Sequence, residues 1–146
     1  MSYDLGVCLR PCRLERVVAS PEEKARATAS AVAEVLGVRV VTDERLREVR
    51  RPWTEGNFAD AVARYLEGDL IEGSEPVEQV LSRLGDSLVS HSGNGPIGVV
   101  AHGTAIACLL GADASVDRVH FWADQTMPDA WTLSGKSLTR LYRLEA

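Results

Sequence analysis

The stretch IGVVAHGTAIACLLG (residues 97–111) decides the fold. A short apolar run ends on His102, and a second apolar run follows Gly103. The first run is typical of a buried strand and the second of a helix packed on it. His102 then lies at the carboxyl end of a strand beside a helix N-terminus, where open α/β sheets bind ligands and where anions are favoured. The pattern is compatible with a site histidine and with one that only satisfies a local hydrogen bond.

Composition and charge restrict the class of protein. The chain has 146 residues, enough for one domain, and 45% hydrophobic with 25% charged residues argues against disorder. Because the formal net charge is -5 without a basic block, nucleic acid and anionic membranes are poor partners. No apolar run could span a bilayer, and no signal peptide is visible. Three cysteines without metal-type spacing favour a reduced, cytoplasmic setting, and nothing calls for a metal, nucleotide or organic cofactor.

Residues 20–37 have the pattern of a helix with its start and stop. Ser20 is predicted to be the cap, Pro21 the first helical residue, and Glu23 the partner of Ser20 in a capping box. Apolar residues then recur at helical spacing, and Gly37 ends the helix.

The remaining elements alternate along the chain. Strands are predicted at residues 5–9, 14–19 and 38–41, helices at residues 57–66 and 75–90, and a hairpin at residues 131–133 and 137–144. This alternation predicts an α/β sandwich with a largely parallel sheet and an antiparallel edge. We expect a single domain over residues 1–146, in which residues 1–13 are an atypical N-terminal segment.

Charged and aromatic residues outside this pattern are harder to assign. The run at residues 43–53 has the charge density of a solvated face, yet Glu48 and Trp53 are unusual in a plain surface loop. His91 is predicted to be exposed in a polar turn. His120 is predicted to pack against its aromatic neighbours.

Three stretches together resemble the histidine phosphatase superfamily, which has the phosphoglycerate-mutase-like fold. Residues 17–29 (VVASPEEKARATA) are similar to the family's Ser-Ser-Pro-x-x-Arg-Ala-x-x-Thr-Ala segment. Residues 46–49 (LREV) are similar to its Leu-Arg-Glu stretch before a Trp-containing loop, and residues 99–103 (VVAHG) to its Val-Ser-His-Gly. Order and separation agree over residues 14–146. The resemblance implies a three-layer α/β/α sandwich with a mostly parallel sheet.

The resemblance also implies roles for single residues. His102 matches the family's second histidine, which flanks the transferred phosphoryl group, and Glu48 matches the acid that protonates the leaving oxygen. Lys24 stands where the family usually has a phosphate-binding arginine, so it keeps the charge but loses the bidentate fork. Asp129 stands where an asparagine often lies, and its negative charge disfavours tight phosphate binding.

The N-terminus departs from the family, which opens with a strand ending in Arg-His-Gly whose histidine is the nucleophile. This chain has no Arg-His pair. The nearest match puts Arg10 on the phosphate-binding arginine and Pro11 on the nucleophile, and proline cannot be phosphorylated on nitrogen. Since too few residues follow for a parallel crossover, the N-terminal strand and crossover helix are predicted to be missing or rearranged. The open strand edges predict a rearranged sheet or a homodimer that supplies the missing strand.

Three functions remain open at this point. In the first, which we favour, the chain keeps a pocket for inorganic phosphate or a small phosphorylated molecule, lined by Lys24, Arg10 and His102, but is catalytically impaired. In the second, it is an active phosphomonoester hydrolase in which His102 or an N-terminal cysteine attacks and Glu48 is the acid. In the third, it is a non-catalytic structural or interaction protein.

Overall fold

The structure is a computed structural model that describes residues 2–52 and 58–145. Trp53 and the predicted first residue of the helix at 57–66 lie outside the described residues. The helices are α1 (Ser2–Leu9), α2 (Glu23–Leu36), α3 (Phe58–Leu66), α4 (Val77–His91), α5 (Gly103–Asp113) and α6 (Arg118–Asp124). The strands are β1 (Val17–Ala19), β2 (Val40–Thr42), β3 (Gly98–Val100), β4 (Asp129–Ser134) and β5 (Ser137–Arg143). In the described part of the chain, no helix is both long and apolar enough to cross a membrane.

A parallel three-stranded sheet organises the fold. Its order is β2-β1-β3, and Ala19 of the central strand lies opposite Thr42 on one side and Val100 on the other. Helix α2 connects the parallel neighbours β1 and β2, which need such a crossover, and α3 and α4 lead from β2 to β3 on the other side of β1. All three strands therefore end at the same edge, where the residues that follow β1 and β3 come together. The predicted parallel sheet is confirmed.

Helices cover both faces of this sheet. Val18 packs with α3, α4, α5 and α6 in one buried cluster, whereas Val17 and Ala19 pack with α1 and α2 in another. Successive side chains of a strand point to opposite faces, so this alternation assigns each cluster to one face. The arrangement is the three-layer α/β/α sandwich that the resemblance implied.

Strands β4 and β5 form the predicted hairpin, with Ser134 opposite Ser137 and Gly135 at a positive φ of 60° in the turn. The hairpin is a two-stranded sheet of its own, although its side chains contribute to both buried clusters. Among the described residues, β3 pairs only with β1. Within residues 2–52 and 58–145, the other edge of β3 has no strand paired to it.

The N-terminal segment is helical, so the predicted strand at residues 5–9 is wrong. Leu5 of α1 is buried against α2, and a Cβ added at Gly6 would lie 2.8 Å from the Cβ of Val35. Periodicity alone cannot assign a short apolar run to a strand or a helix. In this protein the run forms a helix that packs closely on α2. Residues 5–9 therefore do not supply a strand to the sheet.

Helix α2 begins later than predicted. Its N-cap is Glu22, in an extended conformation with φ -66° and ψ 143°, and no side chain caps it. The Ser20 hydroxyl instead accepts a hydrogen bond from the Glu22 amide at 3.2 Å, so the predicted Ser20 cap and capping box are wrong. Gly37 ends the helix at a φ of 68°, as predicted.

The environments of two histidines also differ from their predictions. His91 ends α4 and is largely buried, with its Nε2 atom 2.9 Å from Oδ2 of Asp43, because α4 packs beside the segment that follows β2. His120 is exposed on α6, a short helix that was not predicted. The Asp117 side chain caps the N-terminus of α6 by accepting a hydrogen bond from the His120 amide at 2.8 Å.

Candidate functional site

The carboxyl edge of the sheet brings Ser20 and His102 together. Ser20 directly follows β1, and its amide donates to the Val100 carbonyl at the end of β3. His102 is the N-cap of α5, and its Nε2 atom lies 2.7 Å from the Ser20 hydroxyl oxygen. Ser20 is fully buried, whereas the His102 side chain is 17% exposed. The ring is therefore accessible from solvent on one side and fixed by the sheet on the other.

Glu22 brings a carboxylate against this histidine. Its Oε2 atom lies 2.8 Å from His102 Nε2 and accepts a hydrogen bond from the Glu48 amide at 2.9 Å. The sequence pattern treated Glu22 as part of a helix start, because nothing local shows that the chain folds it back toward His102. The contact exists because Ser20 directs the turn before α2 across the end of β3.

Glu48 lies against the first turn of α5. Its Oε1 atom accepts the amides of Val49 and Ala105, both at 2.9 Å, and its Oε2 atom accepts the amide of Thr104 at 3.2 Å. A carboxylate at this position satisfies amides that have no partner within the helix and complements the helix dipole. The structure thus places Glu48 in the same site as His102, with both carboxylate oxygens already accepting hydrogen bonds.

Arg51 is a cationic residue beside Glu48 that the sequence analysis did not single out. Its Nη1 atom donates to the Thr104 hydroxyl at 2.7 Å, and its Nη2 atom lies 3.8 Å from Glu48 Oε2. The guanidinium also lies 4.8 Å from the ring centre of Phe58. Arg51 belongs to a run of many charged residues, and nothing in the local sequence distinguishes it from its neighbours. Its contacts become apparent only in the folded structure.

Arg83 of α4 fixes the segment that carries Glu48. It donates to the carbonyls of Arg45 at 2.8 Å, Arg47 at 2.6 Å and Glu48 at 3.3 Å, and to Glu75 Oε1 at 2.7 Å. Burial alone would raise the pKa of Glu75, but the hydrogen bonds from Arg83 and from a backbone amide outweigh it and lower that pKa below its ordinary value. These hydrogen bonds fix the backbone of the segment that carries Glu48, and they do so from α4.

In the described part of the chain, the remaining predicted site residues are not in hydrogen-bond or ion-pair contact with His102 or Glu48. Lys24 is exposed in the first turn of α2, and Arg10 is exposed in the 3₁₀ turn after α1. The chain leads from Arg10 to the amino ends of the strands, opposite the edge that carries His102. Asp129 begins β4, where Arg140 Nε donates to its Oδ1 atom at 3.0 Å, so a cation within the fold compensates its charge.

The sequence and the fold of this chain are similar to those of known proteins. The sequence profile of the histidine phosphatase superfamily (branch 1) matches residues 2–134. The probable phosphoglycerate mutase GpmB of Klebsiella pneumoniae subsp. pneumoniae is 27% identical over 136 aligned positions, which cover 80% of this chain. The chain spans 63% of the length of that relative.

Two solved structures of a mycobacterial glucosyl-3-phosphoglycerate phosphatase share the fold. Its complex with VO3 has a TM-score of 0.65 at 22% identity and covers 95% of this chain and 79% of that one. Its complex with inorganic phosphate has a TM-score of 0.63 at 24% identity and covers 84% and 69%. With the profile match over nearly the whole length, these findings show that the chain belongs to the histidine phosphatase superfamily.

Proposed function

We propose that this protein binds inorganic phosphate or a small phosphorylated molecule at the carboxyl edge of its sheet and is impaired in covalent phosphoryl transfer. The observation that carries the proposal is the position of His102, whose partly exposed ring opens from the start of α5 beside the buried Ser20 hydroxyl. A relative named as a phosphoglycerate mutase and a phosphatase of the same fold in complex with VO3 and inorganic phosphate support this ligand class.

The number of histidines supports the impaired chemistry. The sequence has three, and His91 is bonded to Asp43 while His120 is exposed on α6. Neither contacts Ser20 or Glu22 in the described part of the chain, so His102 is the single imidazole of the site. A phosphoenzyme route needs a nucleophile and a separate acid–base group, and one imidazole cannot serve as both at once.

Glu48 has a structural role in this proposal. As a general acid it would carry a proton on an oxygen, whereas both of its oxygens accept backbone amides in this structure. We assign to Glu48 the task of fixing the start of α5 and with it the His102 ring. Turnover of a phosphomonoester that disappears in both His102→Ala and Glu48→Gln would support the active hydrolase instead.

Two cations take part in anion binding in this proposal. Lys24 follows Glu22 by two residues and is exposed, so it can attract an anion to the edge of the sheet without a fixed geometry. Arg51 is anchored by Thr104 beside Glu48 and has the planar fork that suits an oxyanion. We therefore assign the arginine of the pocket to Arg51, which contacts the first turn of α5, rather than to Arg10, which precedes the amino end of β1.

The direct test is titration calorimetry with inorganic phosphate and with orthovanadate. We expect His102→Ala to weaken binding at least about tenfold, since it removes a charge-assisted hydrogen bond. His120→Ala is the matched control, because it removes an exposed imidazole outside the site. A wild-type protein that binds neither anion would contradict the proposal and favour a structural or interaction protein.

We extend the proposal to a homodimer that forms at the open edge of β3. The support is that β3 pairs only with β1 among the described residues, and that Val99 at its centre is 39% exposed. Light scattering should give twice the mass of the chain for the wild type and the mass of one chain for Val99→Arg. A monomeric wild type would contradict this extension and leave the phosphate site untouched.

A further inference from the structure

The Glu22 carboxylate lies beside His102 Nε2, the atom that would hydrogen-bond the proposed ligand. Its Oε2 atom is 2.8 Å from His102 Nε2, and the Ser20 hydroxyl is 2.7 Å from the same nitrogen. Both oxygens therefore approach the same face of the ring nitrogen, which offers a single hydrogen-bonding direction. Any oxyanion that accepts a hydrogen bond from His102 Nε2 must come close to the Glu22 carboxylate.

Both the backbone and the side chain of Glu22 are held in place by hydrogen bonds. Its backbone is fixed by the turn in which its own amide donates to Ser20 Oγ at 3.2 Å. Its Oε2 atom accepts the Glu48 amide at 2.9 Å, and the side chain is 37% exposed. Moving the carboxylate away would leave the Glu48 amide without this acceptor, so the ligand has to be compatible with Glu22 in place.

We propose that Glu22 is the specificity-determining residue of this site and makes it selective for oxyanions that carry a proton; this rests on the proposed phosphate-binding function. A fully deprotonated oxyanion next to a carboxylate is repelled. A ligand hydroxyl turns that repulsion into a charge-assisted hydrogen bond, in which the ligand O–H donates to Glu22 while another ligand oxygen accepts from His102.

Two common oxyanions, phosphate and sulfate, differ in the property on which this selectivity depends. Hydrogen phosphate and the monoanion of a phosphomonoester both carry a hydroxyl that can donate to Glu22. Sulfate has the same tetrahedral shape and the charge of hydrogen phosphate, but it has no proton at neutral pH. The wild-type site should therefore accept phosphate and discriminate against sulfate, although both satisfy His102 equally well.

The experiment is calorimetric titration of inorganic phosphate and of sulfate, at equal ionic strength and neutral pH, into three proteins. For the wild type we expect a Kd for sulfate at least about tenfold above that for phosphate. Glu22→Gln should reduce this gap to about twofold, because the amide no longer repels sulfate and can donate to it. Glu23→Gln is the matched control: it removes the same charge from an exposed neighbouring position, and the wild-type gap should persist.

Each alternative outcome separates the two proposals. Equal binding of both anions by the wild type, or a gap that persists in Glu22→Gln, would overturn the role of Glu22 and leave the phosphate pocket standing. Binding that occurs only in Glu22→Gln would also overturn it, because Glu22 would then exclude every oxyanion. Absence of binding in all three proteins would overturn the proposed function itself. Circular dichroism checks the fold, and Glu22→Ala repeats the test if the glutamine variant is poorly folded.

Discussion

Asp43 is a carboxyl group whose ionisation contributes to the stability of the fold. The hydrogen bonds from the Arg45 guanidinium are the main cause that lowers the pKa of this carboxyl well below its ordinary value, and burial opposes them. Ser87 and His91 of α4 donate to the same carboxylate, at 2.8 Å and 2.9 Å. Asp43 thereby connects the end of β2 to the helix that leads to β3.

This lowered pKa predicts how stability depends on pH. The folded carboxyl has a lower pKa than the unfolded one, so its contribution is complete above the ordinary carboxyl pKa of about 4 and is lost as the pH falls below it. We expect Asp43→Asn to lower the free energy of unfolding at neutral pH by about 2 kcal/mol and to flatten its fall in acid. Urea denaturation across this pH range measures both effects.

The control for this prediction is Asp113→Asn, at the exposed end of α5. That variant should keep the pH dependence of the wild type. The account of Asp43 would be wrong if Asp43→Asn unfolded with the same acid sensitivity as the wild type.

Among single residues, candidates within a motif could be proposed from the sequence, and contacts across the fold could not. The strand-to-helix pattern and the resemblance both mark His102 as a candidate, and the resemblance marks Glu48. Glu22 reaches the Glu48 amide across 26 positions of sequence, and Arg51 reaches Thr104 across 53. Their roles depend on tertiary structure, which no local pattern records.

At the scale of elements, replacing two helical glycines by alanine should change the stability of the protein in opposite directions. A Cβ at Gly6 would lie 2.8 Å from Val35 Cβ, whereas a Cβ at Gly85 in α4 would meet nothing within 4 Å. Gly85→Ala should therefore stabilise the protein by about 0.5–1 kcal/mol through helix propensity. Gly6→Ala should destabilise it by about 1 kcal/mol, because the overlap with α2 exceeds the same gain.

Thermal or urea denaturation of the two variants tests the packing of α1 on α2. Each variant is the control for the other, since both exchange a helical glycine for alanine. Stabilisation by both substitutions would contradict the close contact between α1 and α2 on which the corrected N-terminus depends.

Prediction of elements succeeded where periodicity or a stop signal was strong. The apolar repeat of α2 with its Gly37 stop, and the turn between β4 and β5, were predictable for this reason. The segment at residues 5–9 was assigned to a strand, because a few apolar residues fit either structure until their packing partner is known. Helix α6 has only seven residues and no sustained apolar repeat, so it escaped prediction.

For the whole molecule, the alternation of strands and helices was sufficient to predict the layered α/β fold. It could not predict that β3 and the hairpin lie in separate sheets, because strand pairing depends on contacts between distant segments. The chain spans 63% of the length of its GpmB relative. We propose that the pocket of this family persists here as a binding site around one histidine.

The measurement that tests this claim most directly is phosphorus NMR of a phosphomonoester mixed with a stoichiometric amount of the protein. One spectrum series reports binding, through the line width of the ester, and reaction, through inorganic phosphate or a phosphoenzyme signal. We predict a broadened ester line with the wild type, a sharp line with His102→Ala, and no new signal in either sample. Release of inorganic phosphate that depends on His102, or an ester line that the wild type leaves unchanged, would contradict the account.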